Sequence, residues 1–242
     1  MKIQIVRAGM MPYDQALDLQ LRLLALRQQD QVDDTLLMLE HPPVITLGTR
    51  GQMDHVYRSG EELAAAGISI HKVGRGGDVT YHGPGQLIIY PIVKLYHRPG
   101  GIRTFIETLE QTVMAWLWDV HRVRSYCGQG KLTGVWVDEA KIMAIGLAVK
   151  QGVTMHGLAL NLNTDLTPFD WINPCGLDRP VTSLRELRGR PVSLPDSVSQ
   201  LGGRLAAALG ADAVWLNSPE QLQPVRRPDN LEPIVEPDVA SE

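Results

Sequence analysis

The sequence predicts an α/β fold with a mixed sheet in one domain. Amphipathic helical segments and short β-rich segments alternate along the chain, but without the strict strand–helix–strand order of a wholly parallel sheet. The 242 residues are 44% hydrophobic and 21% charged, which is typical of a globular domain and sufficient for a large buried core. The sequence contains no internal repeat.

The first helix is predicted over residues 12–30, where leucines recur on one face among polar residues. Two short strands, Leu36 to Leu39 and Val44 to Leu47, follow on either side of His41-Pro42-Pro43, whose prolines fix the connection. A short second helix is predicted after Ser59, because Glu62 completes a capping box and Gly67 supplies a stop.

The middle of the chain predicts a strand from Ile68 to Val73, a glycine-rich loop from Gly74 to Gly85, and a strand from Gln86 to Ile92. The clearest helix then runs from Gly101 to Val120, because its apolar residues recur at spacings of three and four.

The later part of the chain predicts a hairpin, in which Val135 to Val137 and Ile142 to Val149 flank a turn at residues 138–140. Val153 to Leu162 is rich in β-forming residues, and Ser193-Leu194-Pro195 opens a last helix that ends at Gly210.

Residues 1–217 are predicted to form the domain, and residues 218–242 a mobile tail, since that segment holds five prolines and no aromatic residue. The chain has 23 basic and 27 acidic residues, and the tail alone, with six acids and two bases, carries the whole net charge of −4. The neutral body argues against a nucleic-acid partner.

The longest apolar run, Ile142 to Val149, has eight residues, whereas a membrane span needs about 20, so no membrane association is expected. The N-terminal residues before Arg7 leave no room for a signal-peptide core, so the expected location is cytoplasmic. In that compartment Cys127 and Cys175 are expected to be free thiols.

The glycine-rich segment from Gly74 to Gly85 is the densest candidate site, because glycines let the backbone approach a ligand and Arg75, Thr80, Tyr81 and His82 add polar groups. The alternative is a loop that is simply tight. Position 79 is valine, so the segment is not a dinucleotide fingerprint, and Gly130-Lys131 is followed by leucine, so no Walker loop is present.

Cys175 lies in a Pro-Cys-Gly corner, which either exposes a nucleophile or holds a small buried residue, and the sequence favours neither. Cys127 is interpreted as structural.

His82 and His156 are each candidate bases, or else histidines with ordinary structural partners. No spacing of histidines and cysteines matches a metal site, so none is expected. Lys141 begins an apolar strand and either extends to water, as sequence alone favours, or enters a pocket where burial would make it a base.

Residues 75–90, Arg-Gly-Gly-Asp-Val-Thr-Tyr-His-Gly-Pro-Gly-Gln-Leu-Ile-Ile-Tyr, resemble the signature of the lipoate-pathway octanoyltransferases that use an acyl carrier protein. Three further blocks resemble the same family in the expected order: residues 134–137 with 141–146, residues 153–161, and residues 173–176. The resemblance extends from about Leu36 to Leu184.

The resemblance implies the fold of the biotin and lipoate protein ligases, in which a mixed sheet is flanked by helices. It implies that Cys175 is the acyl-accepting nucleophile and Lys141 its partner. The residues implied to line the acyl pocket are Arg75, Gly76, Gly77, Asp78, Val79, Thr80, Tyr81, His82, Ala144, Ile145, Gly146, Gly157, Leu158 and Ala159.

The implied reaction moves octanoyl from the phosphopantetheine of acyl carrier protein to a lysine of a lipoyl domain, as the first step of lipoylation, without a cofactor. The implied acceptors are the E2 subunits of 2-oxoacid dehydrogenases and the glycine cleavage H protein. Two alternatives stay open: an ATP-dependent lipoate–protein ligase, which would not need Cys175, and a non-catalytic acyl or cofactor carrier in which Cys175 and Lys141 merely pack.

Overall fold

The computed structural model describes residues 1–96, 98–173 and 179–222. Cys175 and residues 223–242 of the predicted tail therefore lie outside the described residues.

Two mixed sheets form the framework of the molecule. The larger sheet has eight strands in the spatial order β11-β1-β2-β6-β10-β9-β8-β7, with β1 parallel to both β2 and β11 and the other neighbours antiparallel. Its strands are β1 Lys2–Met10, β2 Asp34–Glu40, β6 Gln86–Ile92, β7 Tyr126–Gly128, β8 Gly134–Val137, β9 Ala140–Lys150, β10 Val153–Asn161 and β11 Asp212–Leu216. The smaller sheet has the order β4-β3-β5, with strands β3 Val44–Leu47, β4 Ser69–Lys72 and β5 Val79–His82.

Helices cover both faces of the large sheet. The helices are α1 Tyr13–Gln28, α2 Gly60–Ala65, α3 Gly101–His121, α4 Leu184–Arg188 and α5 Leu194–Ala208. Because side chains alternate along a strand, Leu36 and Met38 pack in the core under α3 and α5, whereas Leu37 and Leu39 pack in the core under α1. Burial on both faces explains why β2 is a continuous apolar run.

The predicted elements of regular periodicity are confirmed. The first helix, the Ser59 capping box, the long helix at residues 101–121, the 134–150 hairpin and the last helix all occur within a few residues of their predicted bounds. Strands β1, β7, β11 and helix α4 were not predicted.

The prediction of one continuous loop from Gly74 to Gly85 is wrong. Residues 79–82 form β5, which pairs with β3 in the small sheet, so two shorter glycine-rich turns flank a strand. The two strands predicted on either side of His41-Pro42-Pro43 are present, and they belong to different sheets, β2 to the large one and β3 to the small one.

The described chain continues in contact with the body past the predicted boundary at 217. Leu222 packs against the core under α1, and the Asn217 amide donates to Gln221 Oε1 at 2.7 Å. Within the described residues, no helix is long and apolar enough to span a membrane.

Candidate active site

A cavity of about 310 Å³ opens between the large sheet and the loop that follows β4. The loop provides Arg75 and its neighbours up to Val79, whereas β9 and β10 provide a floor of small and apolar residues. Of the predicted site residues, the cavity is lined by Arg75, Gly76, Gly77, Asp78, Val79, Thr80, His82, Lys141, Ala144, Ile145, Gly146, Gly157, Leu158 and Ala159. The structure thus brings together residues from three of the four sequence blocks, although their roles stay predictions.

Tyr81 is the exception among the described residues predicted to line the pocket. Its ring packs edge-on against Phe169 at 5.5 Å between centroids, inside the core of the small sheet. Burial raises the pKa of Tyr81 to about 12. Its place among the acyl-pocket residues is therefore corrected to a structural one.

The Arg75–Gly77 turn is held tightly against β9. The Gly76 amide donates to the Leu147 carbonyl at 3.1 Å, and a Cβ on Gly146 would lie 2.8 Å from the Gly76 carbonyl oxygen. On the other side, a Cβ on Gly48 would lie 2.6 Å from the Gly77 carbonyl oxygen. Glycine at these positions is thus required for close backbone approach.

Arg75 is a cation fixed in the cavity wall, with 8% of its surface exposed. Its Nε and Nη2 donate to Thr46 Oγ1 at 3.1 and 2.9 Å, and Nη2 also donates to the Thr46 carbonyl at 2.7 Å. The planar guanidinium suits this forked contact, which sets its orientation before any ligand binds.

Lys141 lines the cavity and is half-buried, which favours the pocket alternative over simple extension to water. Its Nζ donates to the Thr133 carbonyl at 3.4 Å and lies 4.8 Å from the centre of the Trp136 ring. An ammonium over an indole face is a favourable cation–π contact.

Both described flanks of the segment that contains Cys175 are anchored beside this cavity. On one side, the Asn173 amide donates to the His55 carbonyl at 2.9 Å, and the His55 ring contacts Asp78 at 2.8 Å. On the other side, the Lys141 amide donates to the Pro180 carbonyl at 3.0 Å, and the Thr182 amide donates to the Lys141 carbonyl at 3.0 Å.

His82 is buried and neutral. Burial, together with the nearby His41 and Arg75, lowers its pKa to about 3. Its Nδ1 lies 2.8 Å from Gln86 Oε1, which can only accept, so Nδ1 carries the proton. Gln86 donates in turn to Asn161 at 2.9 Å, and Asn161 donates to the Thr182 carbonyl at 3.0 Å, so the network reaches the flank next to Lys141.

His156 has an unusual backbone conformation for a residue in a strand. Its φ is +57°, in the left-handed region, and its amide donates to Gln20 Oε1 of α1 at 2.7 Å. Burial, then the Arg75 charge, lowers its pKa to about 4, so this imidazole is also neutral at pH 7.

Cys127 has the surroundings of a structural thiol. Its Sγ lies 3.0 Å from Met114 Sδ, and burial, followed by the Glu110 carboxylate, raises its pKa to about 11. A thiol with so high a pKa is a poor nucleophile at pH 7, which agrees with its predicted structural role.

Several cavity residues were not predicted as site residues. Tyr13, Ile102 and Ile106 lie far from the glycine-rich motif in sequence, whereas Tyr90 ends the 75–90 block but was not assigned to the pocket. Tyr13 and Tyr90 line the wall near His41, whose Nε2 accepts from the Tyr90 hydroxyl at 2.8 Å. Ile102 and Ile106 come from the first turns of α3. An apolar residue that lines a cavity has the same periodicity as one that packs in the core, so no local signal distinguishes them.

No three metal-ligating side chains converge within the described part of the chain.

The family model described as the lipoyl protein ligase A/B catalytic domain matches residues 12–206. An octanoyltransferase from Caldicellulosiruptor saccharolyticus is 45% identical over 212 residues, which cover 87% of this chain and 90% of the relative. The chain belongs to the lipoyl protein ligase A/B family. This membership, with an octanoyltransferase as a close relative, confirms the resemblance and the predicted enzyme class.

Solved structures confirm the predicted fold of this family member. The chain resembles a structure described as a bi-partite lipoate protein ligase and its E2 lipoyl domain from Thermoplasma acidophilum, with a TM-score of 0.70 at 17% identity. The match covers 91% of this chain and 89% of the other. Biotin protein ligase from Aquifex aeolicus matches with a TM-score of 0.51 at 13% identity, over 86% and 69% of the two chains. At these identities the likeness shows the fold alone.

Proposed function

We propose that this protein carries out octanoyl transfer from the phosphopantetheine thioester of acyl carrier protein, through a thioester on Cys175, to the ε-amine of a lipoyl-domain lysine. The acceptors are the lipoyl domains of 2-oxoacid dehydrogenase E2 subunits and the glycine cleavage H protein. The observation that carries the proposal is the position of Lys141, which lies in the cavity wall and pairs through its backbone with residues 180–182, just after the Cys175 segment.

Covalent connectivity supports the pairing of Cys175 with Lys141. Cys175 is two residues from Asn173 in the sequence. Asn173 is hydrogen-bonded to His55, whose ring contacts the cavity residue Asp78. A nucleophile that follows so closely on this anchored residue can meet a thioester bound in the cavity.

The cavity suits a short acyl chain. Its volume of about 310 Å³ is at the lower end of ordinary ligand pockets, and its floor includes Ala144, Ile145 and Gly146. Burying about six methylenes at ~0.8 kcal/mol each gives on the order of 5 kcal/mol, which is enough to bind octanoyl in preference to much shorter chains.

In the first step the Cys175 thiolate attacks the thioester carbonyl, and the carbon–sulfur bond to phosphopantetheine breaks. The Lys141 ammonium stabilises the thiolate and then gives its proton to the departing pantetheine sulfur. One thioester replaces another, so the step needs no nucleotide. Lys141 is left neutral beside the acyl-enzyme.

In the second step the acceptor lysine amine attacks the Cys175 thioester, a carbon–nitrogen bond forms, and the carbon–sulfur bond breaks. Neutral Lys141 takes the amine proton, which regenerates the ammonium–thiolate pair. His82 and His156 are much weaker bases, since their pKa values are about 3 and about 4. They therefore serve as neutral parts of the cavity wall.

The experiment that tests this function compares two donors. Purified protein is mixed with an apo lipoyl domain and either octanoyl-acyl carrier protein without nucleotide or free octanoate with ATP, and the lipoyl domain is weighed by mass spectrometry. We expect one octanoyl group from the carrier protein and none from octanoate with ATP. Modification by octanoate with ATP alone would instead favour a ligase.

A further inference from the structure

Glu110 is a buried carboxylate that the proposed mechanism does not use. It lies on α3 with 4% of its surface exposed, and its Oε1 accepts the Gly134 amide hydrogen at 2.7 Å. A buried acid needs a compensating partner, and a backbone amide is a strong one. Glu110 thereby links α3 to the first residue of β8.

The Lys141 ammonium contacts the same turn that Glu110 binds through the Gly134 amide. Thr133, directly before Gly134, is the carbonyl acceptor of Lys141 Nζ at 3.4 Å. Trp136, whose ring lies under the ammonium, donates its indole N–H to the Leu132 carbonyl at 2.6 Å. These two contacts of Lys141 depend on where residues 132–136 lie.

This turn has little freedom to rearrange. Gly134 has a φ of +127°, and a Cβ at that position would lie 2.4 Å from the Met143 carbonyl oxygen. A Cβ on Gly128 would lie 2.0 Å from the Leu132 carbonyl oxygen. The backbone of this turn is thus packed against β9 and β7, and Glu110 of α3 binds its Gly134 amide.

We propose that Glu110 is the positioning residue of Lys141: it fixes the Thr133–Gly134 turn under the ammonium and supplies a buried negative charge that favours the protonated lysine. The inference rests on the proposed function, because it assigns Glu110 a role only through Lys141.

Within the described ranges, the titratable groups that act on Glu110 are Glu107, Cys127 and Lys141. Burial raises the pKa of Glu110, whereas the Gly134 amide, Cys127 and Lys141 lower it, and Glu107 on the same helix raises it. Cys127 on β7 stays a neutral thiol at pH 7, since its pKa is about 11. Lys141 is therefore the cation through which the Glu110 charge acts.

The test measures how readily Lys141 is protonated, without relying on turnover. Full-length protein is pulse-labelled with acetic anhydride across a pH series, and labelling of Lys141 is quantified by peptide mass spectrometry. Glu110→Gln keeps an oxygen for the Gly134 amide but removes the charge. We expect the midpoint of its labelling profile to move to lower pH, with about threefold or more labelling at pH 7, because a neighbouring anion no longer favours the ammonium.

Glu107→Gln is the matched control, since Glu107 is one turn away on α3 and pairs with the exposed Arg103. Its midpoint should equal that of the wild type. Glu110→Asp keeps the charge but shortens the side chain that bonds the Gly134 amide, so its midpoint should move less than that of Glu110→Gln. A wild-type midpoint in Glu110→Gln, or an equal shift in Glu110→Asp, would overturn the inference.

Single-turnover deacylation provides the functional readout. In Glu110→Gln its pH midpoint should move in the same direction as the labelling midpoint, whereas a loss of melting temperature alone would leave it in place. In a Lys141→Arg background, Glu110→Gln should not move it, because arginine does not titrate in this range. If the labelling midpoint shifts but no acyl-enzyme forms, the proposed function fails and the role of Glu110 stands.

Discussion

Replacing Thr46 by valine should show how strongly the cavity depends on a prearranged Arg75. The change keeps a β-branched side chain but removes the hydroxyl that accepts Nε at 3.1 Å and Nη2 at 2.9 Å. Nη2 keeps the Thr46 carbonyl at 2.7 Å. Arg75 is only 8% exposed, so water cannot readily replace the missing acceptor.

A hydrogen bond to a charged group contributes about 1.5–3 kcal/mol, so we expect Thr46→Val to lower the free energy of unfolding by about 2–3 kcal/mol. Urea denaturation at pH 7, with the slope and midpoint fitted separately, measures this change. Octanoyl transfer should fall as well, because Arg75 lines the cavity.

Thr35→Val is the matched control. Thr35 is also fully buried in a strand, but its hydroxyl donates to a neutral carbonyl, that of Asp33, at 3.0 Å. Its expected cost is about 1 kcal/mol. If Thr46→Val destabilises the protein no more than Thr35→Val does, the Thr46 hydroxyl does not stabilise the Arg75 guanidinium.

Three further predictions concern the dyad, the packing of β10 and the buried histidines. Lys141→Arg should still form acyl-enzyme but transfer it to the acceptor about a hundredfold or more slowly, because arginine cannot act as a base near pH 7; equal losses in both single-turnover steps would show that Lys141 acts only through its charge. Gly157→Ala should lower the melting temperature, since its Cβ would lie 2.0 Å from the Ile89 carbonyl oxygen. Gly203→Ala on α5, where a Cβ would meet no atom within 4 Å, should raise the melting temperature; the opposite order of melting temperatures would contradict the packing. The pKa of His82 is lowered from 6.5 to about 3, so the stability that neutral His82 contributes is present above pH 6.5 and is lost as the pH falls towards 3. Urea unfolding at pH 7, 5 and 4 should show this decline in the free energy of unfolding, and the decline should be smaller in His82→Asn.

Elements with a strong local period could be predicted from the sequence, and those defined by distant partners could not. Helix α3 was predicted because its apolar residues recur on one face. Strand β5 was hidden because its four residues lie between two glycine-rich turns and pair with β3, more than 30 residues earlier. Strand β11 is short and mostly exposed, and only its parallel pairing with β1 defines it.

The composition of the site was largely predictable from its motifs, but its orientation was not. The Arg75 block and the glycines of β9 and β10 were found because they stand together in sequence. Tyr81 was misplaced because the direction of each side chain depends on which face of β5 meets the small-sheet core. For Lys141, sequence alone favoured extension to water, and only the family resemblance gave it a role beside Cys175. No local pattern records its contacts with the turn that Glu110 and Trp136 help to build.

Intact mass spectrometry of the protein after mixing with octanoyl-acyl carrier protein, without an acceptor, tests the central claim most directly. We expect one octanoyl adduct, released by hydroxylamine and mapped to Cys175 by peptide analysis. It should be present in Cys127→Ala and absent in Cys175→Ala. An adduct on Cys127, or full transfer to a lipoyl domain by Cys175→Ala, would contradict this claim.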